Sequence, residues 1–117
     1  MDPHLYLATR ADQKRLKDAE LVLYHGIHLE GKMGDLLARI SKSPREGQHI
    51  TAVAEAIDKE KLIRNELFGA YPDPHLWFDL QLWKTAAAAA GKAIEKADPE
   101  NAEIHAAATR TYLAQIE

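Results

Sequence analysis

Two short apolar runs, at residues 20–24 and 49–53, most constrain the fold of this 117-residue chain. Both have the length and the β-branched content expected of buried strands. Between them, residues 29–41 carry apolar side chains at spacings of three and four, which predicts an amphipathic helix. The order strand, helix, strand predicts an α/β fold with a parallel sheet and flanking helices.

Helices are also predicted on both sides of this unit. Thr9 and Asp12 have the spacing of a capping box, which predicts a helix over residues 9–19. The alanine-rich segment from Leu76 onward predicts a long helix. Residues 54–71 contain mixed signals and predict a long connection with a helical turn inside it.

The long helix is predicted to meet a last helix at Asp98. An Asp-Pro pair supplies an N-cap followed by proline in the first turn, which predicts a helix over residues 99–115. This helix needs a surface to pack on, because its spacing predicts the following side chains to be buried: Ile104, Ala107, Ala108, Thr111, Tyr112 and Ile116.

The predicted sheet has fewer strands than parallel sheets usually have. Such sheets bury both faces and normally contain more than two strands. We therefore expect either that the chain is a piece of a larger domain or that oligomerisation completes the sheet.

Composition excludes several classes of protein. The net charge of -3 excludes a strongly basic nucleic-acid binder, and 46% hydrophobic residues are typical of a soluble globular domain. The absence of cysteine excludes a disulfide framework, a thiolate zinc site and a cysteine nucleophile. Residues 1–4 do not have the basic and then apolar start of a signal peptide, so we expect no export signal in this sequence.

The sequence Asp-Pro-His-Leu occurs twice, at residues 2–5 and at residues 73–76, each time followed by an aromatic residue. Asp-Pro favours an extended or turn conformation, which displays the next residue from a short loop. Because histidine is the commonest protein metal ligand, we interpret His4 and His75 as candidate metal ligands that converge on one point. The alternative is that each Asp-Pro pair only starts a helix and each histidine packs locally.

The other histidines are weaker candidates. His25 and His28 flank a Gly-Ile pair after the first predicted strand, and His-x-x-His binds metal only when both rings face the same way. A strand-to-helix turn need not align them, so a structural role that closes the loop is favoured. His49 and His105 are expected to pack or to face solvent.

Enzymatic chemistry has little support in the sequence. It contains neither a glycine-rich phosphate loop nor a G-x-S-x-G serine motif. A metal-dependent hydrolase that used His4, His75 and Asp79 would need an open metal position in addition to a firmly held ion. Two good ligands do not provide that, so we expect a binding protein and not an enzyme.

Residues 2–6, 19–33 and 72–79 together resemble the metal-binding substrate-binding proteins of manganese, zinc and iron ABC importers, the TroA-like group. The resemblance covers nearly all of the chain, and the motifs stand in the order found in the family. It implies two α/β lobes joined by a long helix, with one divalent metal ion clamped between them and delivered to a membrane permease.

The same resemblance implies how the chain is divided. Residues 1–98 would be a partial amino-terminal metal-binding lobe, and residues 99–117 would be the start of the interlobe helix. The carboxy-terminal lobe, the export signal and the first elements of the amino-terminal lobe would be absent. His4 and His75 would be the ligands from this lobe, whereas the position of His25 and His28 is not usually a ligand.

The implied function is that of the solute-binding component of an ABC metal importer. The metal would be zinc or manganese, with iron as a further candidate, and the absence of histidine from residues 58–71 favours manganese, iron or mixed specificity. The full-length relative would work in the periplasm or as an extracellular lipid-anchored protein. Two alternatives remain: a metal-bridged homodimer with four histidines, and a self-associating structural domain without transport activity.

Overall fold

The computed structural model describes residues 2–64 and 69–116, which form a small parallel sheet with helices around it. Strands β1 and β2 pair in parallel, in a register that runs from Leu21 opposite His49 to Tyr24 opposite Ala52. This confirms the predicted α/β class. The elements are α1 (Arg10–Asp18), β1 (Leu21–Tyr24), α2 (Gly34–Lys42), β2 (His49–Ala52), α3 (Leu80–Ala97) and α4 (Ala102–Gln115).

Helix α1 begins at the predicted capping box. The Thr9 hydroxyl accepts a hydrogen bond from Asp12 N, and the Asp12 carboxylate accepts one from Thr9 N. At the other end of the helix, Gln48 Nε2 donates to the carbonyl oxygens of Leu16 and Ala19, at 2.8 Å in both cases. These bonds satisfy carbonyls that a helix end leaves unpaired, and they tie α1 to the loop before β2.

Helix α2 starts later than the predicted residue 29. Gly31–Met33 form a 3-10 turn, and the α-helix begins at Gly34. Gly31 has a φ of +46°, which lies outside the right-handed helical region and prevents an earlier start. Strand β2 agrees closely with its prediction and ends at Ala52.

The connection after β2 contains helical turns, as predicted. Val53–Ala56 and Lys59–Lys61 form 3-10 turns, whereas residues 65–68 of the predicted connection lie outside the described residues. The helix predicted from Leu76 begins as a further 3-10 turn, and α3 itself starts at Leu80. The reason is Asp79, whose side chain caps α3 by accepting hydrogen bonds from Gln81 N and Leu82 N.

The main apolar cluster lies where α3 covers the turns after β1 and β2. Because Leu76 belongs to this cluster, the second Asp-Pro-His-Leu motif is fixed directly to the core. Its buried members are Ile27, Ala54, Ile57, Leu76, Leu82 and Ala86.

The prediction that α4 buries an apolar face is wrong for the described structure. The side chains of Ile104 and Tyr112 are 67% and 45% exposed, and no residue of α4 is buried. The helix packs against α3, where a Cβ on Gly91 would lie 2.3 Å from Thr109 Oγ1. None of the helices within the described ranges is long and apolar enough to span a membrane.

Asp98 stands at the predicted N-cap position, at the start of the 3-10 turn Pro99–Asn101 that leads into α4. Proline follows it in the first turn, as predicted, and the Asp98 carboxylate accepts hydrogen bonds from His105 Nε2 at 2.8 Å and from the Asn101 amide. The bond from His105 contributes most to lowering the pKa of Asp98. We expected His105 to pack or to face solvent. In the structure its ring makes a polar contact with Asp98 where α3 joins α4.

Candidate metal centre

The two histidines of the repeated motif lie side by side. The ring centroids of His4 and His75 are 5.4 Å apart, and the ring planes cross at 69°. Residues 2–6, which we call loop 1, and residues 73–77, which we call loop 2, are far apart in sequence and meet at this point. The structure thus brings together the two residues that the repeat singled out.

Loop 2 holds its histidine by two hydrogen bonds to one carboxylate oxygen. Asp73 Oδ1 accepts from the backbone N of His75 at 3.0 Å and lies 2.7 Å from Nδ1 of the ring. Burial raises the pKa of Asp73, but the bonds from His75 outweigh it and leave the pKa below its usual value. A charged Asp73 favours the proton on Nδ1, which places the lone pair of the imidazole on Nε2.

Loop 1 is held differently. Asp2 Oδ1 accepts a hydrogen bond from His4 N at 2.9 Å, which repeats the backbone half of the arrangement in loop 2. The loop is anchored farther on, where the Tyr6 hydroxyl donates to Asp12 Oδ2 at 2.6 Å. This bond raises the pKa of Tyr6, and it is the largest cause that lowers the pKa of Asp12 to about 2.

The turn after β1 lies behind the paired rings. Gly26, Ile27 and His28 all have positive φ, at 85°, 49° and 62°. For Ile27 and His28 this conformation is strained, and strain of this kind persists only where the surroundings enforce it. Glu30 supplies such a restraint, since its carboxylate accepts hydrogen bonds from His25 N at 2.6 Å and from Gly26 N at 3.0 Å.

His25 and His28 have separate partners. The ring of His25 meets Trp77 edge to face with 5.9 Å between centroids, whereas the ring of His28 lies 3.6 Å from that of Tyr71. Among the described residues, His25 Nε2 is buried without a hydrogen-bond partner, and burial is the main cause that lowers its pKa. His25 is therefore kept neutral beside Trp77, which also packs edge to face on His75 at 5.2 Å.

At this point the described residues offer two candidate metal ligands, the imidazoles of His4 and His75. Within residues 2–64 and 69–116, no group of three or more histidine, aspartate or glutamate side chains is arranged to hold a metal ion. Asp79, the carboxylate considered for hydrolysis, caps α3. His49 lies in β2, where its backbone N donates to Glu20 O.

Sequence reasoning missed two features of this centre. It did not predict the bond between Asp73 and the ring of His75, although an aspartate two residues before each histidine was the available signal. It also did not predict the role of Glu30, because no sequence pattern reveals that its carboxylate closes the turn onto the backbone.

The whole chain matches a known family. The sequence profile of ZnuA, zinc-uptake complex component A, periplasmic, covers residues 1–117. The chain belongs to this family. Its relatives include the manganese-binding lipoprotein MntA of Bacillus subtilis, 46% identical over 103 residues, which are 88% of this chain and 32% of the relative. The zinc-binding protein TroA of Treponema pallidum is 43% identical over 71% of this chain and 25% of its own length.

Solved structures show the same fold. The periplasmic zinc-binding protein TroA of Treponema pallidum superimposes with a TM-score of 0.87 and 34% identity, over 99% of this chain and 40% of that chain. The manganese-bound periplasmic metal-binding protein of Candidatus Liberibacter asiaticus gives a TM-score of 0.76 and 27% identity, over 97% and 40% of the two chains. This ZnuA-family chain therefore spans well under half the length of the relatives that it matches.

Proposed function

We propose that this chain forms part of the solute-binding component of an ABC importer for a divalent transition metal, and that His4 and His75 are two of the metal ligands. Family membership supports the transport role, and relatives are named as manganese-binding and zinc-binding proteins. In this proposal residues 1–98 belong to the metal-binding lobe and residues 99–117 begin the helix that joins it to a second lobe.

The distance between the rings of His4 and His75 is the main observation in favour of assigning both as metal ligands. A zinc ion binds imidazole nitrogen at about 2.0–2.1 Å, so that two rings at a tetrahedral angle have centroids roughly 5 Å apart. The rings of His4 and His75 are 5.4 Å apart. Little movement would therefore bring both onto one ion, and the bond from Asp73 supports this by placing the lone pair of His75 on Nε2.

Two imidazoles satisfy only part of the coordination shell of the ion. Zinc usually takes four ligands, and manganese takes more, with a preference for oxygen. We propose that the remaining ligands come from residues beyond this chain, and that the whole protein passes the ion to a membrane permease from outside the cytoplasmic membrane. Relatives named as lipoprotein and periplasmic support that location.

Calorimetric titration of the metal-stripped chain with zinc and then with manganese tests the ligand assignment. We expect weak binding that is lost in a His4→Ala, His75→Ala double variant. His49→Ala is the matched control, because it removes an imidazole from β2 and leaves both loops intact. Unchanged zinc binding in the double variant, or equal loss in the control, would contradict the assignment.

The stoichiometry of the titration separates a single-chain site from a shared one. One ion per chain is expected if each His4 and His75 pair binds by itself. One ion per two chains, together with a doubling of mass in light scattering, would instead indicate a site with four histidines between two copies.

A further inference from the structure

The backbone of His4 lies against Gly31 at the start of the 3-10 turn before α2. A Cβ on Gly31 would lie 2.0 Å from the His4 carbonyl oxygen and 2.8 Å from its carbonyl carbon. Cβ atoms essentially never approach other atoms to less than 3.0 Å, and the neighbour here is backbone, which cannot swing aside as a side chain does. Glycine at position 31 is therefore a condition for the observed path of loop 1.

Gly31 is itself held in place by the turn after β1. Its N donates to the His28 carbonyl at 3.1 Å, and the preceding residue, Glu30, accepts hydrogen bonds from His25 N and Gly26 N. The φ of +46° at Gly31 adds a second reason for glycine. The position of Gly31 is thus restrained from the carboxyl end of β1 by bonds that do not involve loop 1.

Loop 1 has few other restraints near its histidine. The side chains of Asp2, Pro3 and Leu5 are exposed, and the hydrogen bond from Tyr6 to Asp12 lies beyond the histidine in the sequence. The contact with Gly31 acts on the His4 backbone itself. A shift of this backbone would carry the imidazole of His4 with it, towards or away from that of His75.

We infer that Gly31 is a positioning residue of the metal site, which sets the His4 ring at bonding distance from a metal ion shared with His75. The inference rests on the proposed function, since it gives Gly31 a role only if His4 is a ligand. Residues 30 and 31 would then affect the affinity for the metal ion as well as the stability of the fold.

Gly31→Ala tests this inference, with Gly47→Ala as the matched control. Gly47 also has a positive φ, of 74°, but nothing lies within 4 Å of the place where its Cβ would be. The control thus carries the same kind of backbone strain without a contact to loop 1. We expect Gly31→Ala to weaken zinc binding in calorimetry by about tenfold or more and Gly47→Ala to leave it nearly unchanged.

A second measurement needs no metal. The His4 ring lies edge to face with the His75 ring, so its Hε1 proton resonance reports the distance between them. We expect this resonance in the metal-free chain to move in Gly31→Ala in the same direction as in a His75→Ala reference, and to stay in place in Gly47→Ala. A purely structural role of Gly31 would shift the unfolding midpoint and leave the His4 resonance of the folded fraction unmoved.

If Gly31→Ala does not fold, the variant Glu30→Gln tests the same inference. The two bonds reach different oxygens of Glu30, and glutamine retains only one oxygen acceptor, so the turn is loosened without a steric clash. We expect a moved His4 resonance and weaker zinc binding.

Three results bear on the inference in different ways. Wild-type affinity and an unmoved His4 resonance in Gly31→Ala, or in Glu30→Gln if that is the variant that folds, would overturn it. Equal loss of affinity in Gly31→Ala and Gly47→Ala would also overturn it, because strain alone would then explain the effect. Unchanged zinc binding in His4→Ala would instead contradict the proposed function.

Discussion

Loop 1 and loop 2 contain the same four residues, and the fold holds them by different means. In loop 2 the leucine, Leu76, is 2% exposed and belongs to the core, whereas its counterpart in loop 1, Leu5, is 66% exposed. Asp73 accepts hydrogen bonds from both the backbone and the ring of His75, whereas Asp2 accepts one from the His4 backbone. Identical sequence therefore yields one histidine fixed from the core and another supported from the surface.

This difference suggests how such a centre works. A histidine held by its own aspartate and by buried neighbours provides a fixed point for an ion. A histidine on an exposed loop adjusts at lower cost, since few buried contacts oppose its movement. We therefore expect His75 to define where the ion binds and His4, whose backbone rests on Gly31, to complete the pair.

Truncation of the two leucines should give the largest contrast. Leu76→Ala removes a fully packed side chain, and we expect the free energy of unfolding to fall by about 2–5 kcal/mol. Leu5→Ala should change it by less than about 0.5 kcal/mol, because the side chain is already exposed. Urea denaturation followed by circular dichroism measures both, and similar losses in the two variants would contradict the contrast.

Removal of the two aspartates should give the next largest difference, in zinc affinity. Asp73→Ala deletes the partner of His75 Nδ1, and losses of such partners typically cost about 10–100-fold in metal affinity. Asp2→Ala removes a bond to the His4 backbone, so a smaller loss is expected. Equal losses in calorimetric titration would show that the ring contact of Asp73 does not matter for binding.

The aromatic residue after loop 2's leucine should have a smaller effect. Trp77 packs edge to face on His75, and aromatic pairs contribute about 0.5–1.5 kcal/mol. We therefore expect Trp77→Leu to weaken zinc binding by roughly two- to tenfold. Trp83→Leu is the control, because Trp83 belongs to neither loop and its Nε1 donates to the Tyr112 hydroxyl between α3 and α4. A larger loss of affinity in the control would contradict this role.

Local signals in the sequence predicted the helices and strands around the two loops better than the contacts between distant residues. The capping box at Thr9 and the two strand-like runs act over a few residues, and the structure confirms them. The predicted convergence of the two motifs matches the paired rings, while metal ligation by His4 and His75 stays a prediction.

The wrong predictions have a common physical cause: they depend on which distant parts of the chain touch each other and which do not. The start of α2 was placed too early because the positive φ at Gly31 accompanies a close approach to the His4 backbone. The exposure of Ile104 was not foreseen because a helical period shows an apolar face but not whether another element covers it. Neither fact is present in the neighbouring sequence.

The smallest effect should appear in the pH dependence of the anchor of loop 1. The hydrogen bond from Tyr6 is the largest cause that holds the pKa of Asp12 at about 2, against about 3.9 in an unfolded chain. Stability from this lowered pKa is fully present above about pH 4 and is lost as the pH falls through about 2. We therefore expect Tyr6→Phe to lower the urea midpoint most above pH 4, with the difference from wild type shrinking towards pH 2.

Tyr112→Phe is the matched control for this last prediction. Its hydroxyl accepts from Trp83 Nε1, and no carboxylate within the described part of the chain is hydrogen-bonded to it, so its effect should not change between pH 4 and pH 2. If Tyr6→Phe and Tyr112→Phe gave parallel profiles, Asp12 would not be the anchor of loop 1. If the profiles diverge as expected, loop 1 is anchored through the ionised carboxylate of Asp12, whereas the leucine of loop 2 is buried in the core.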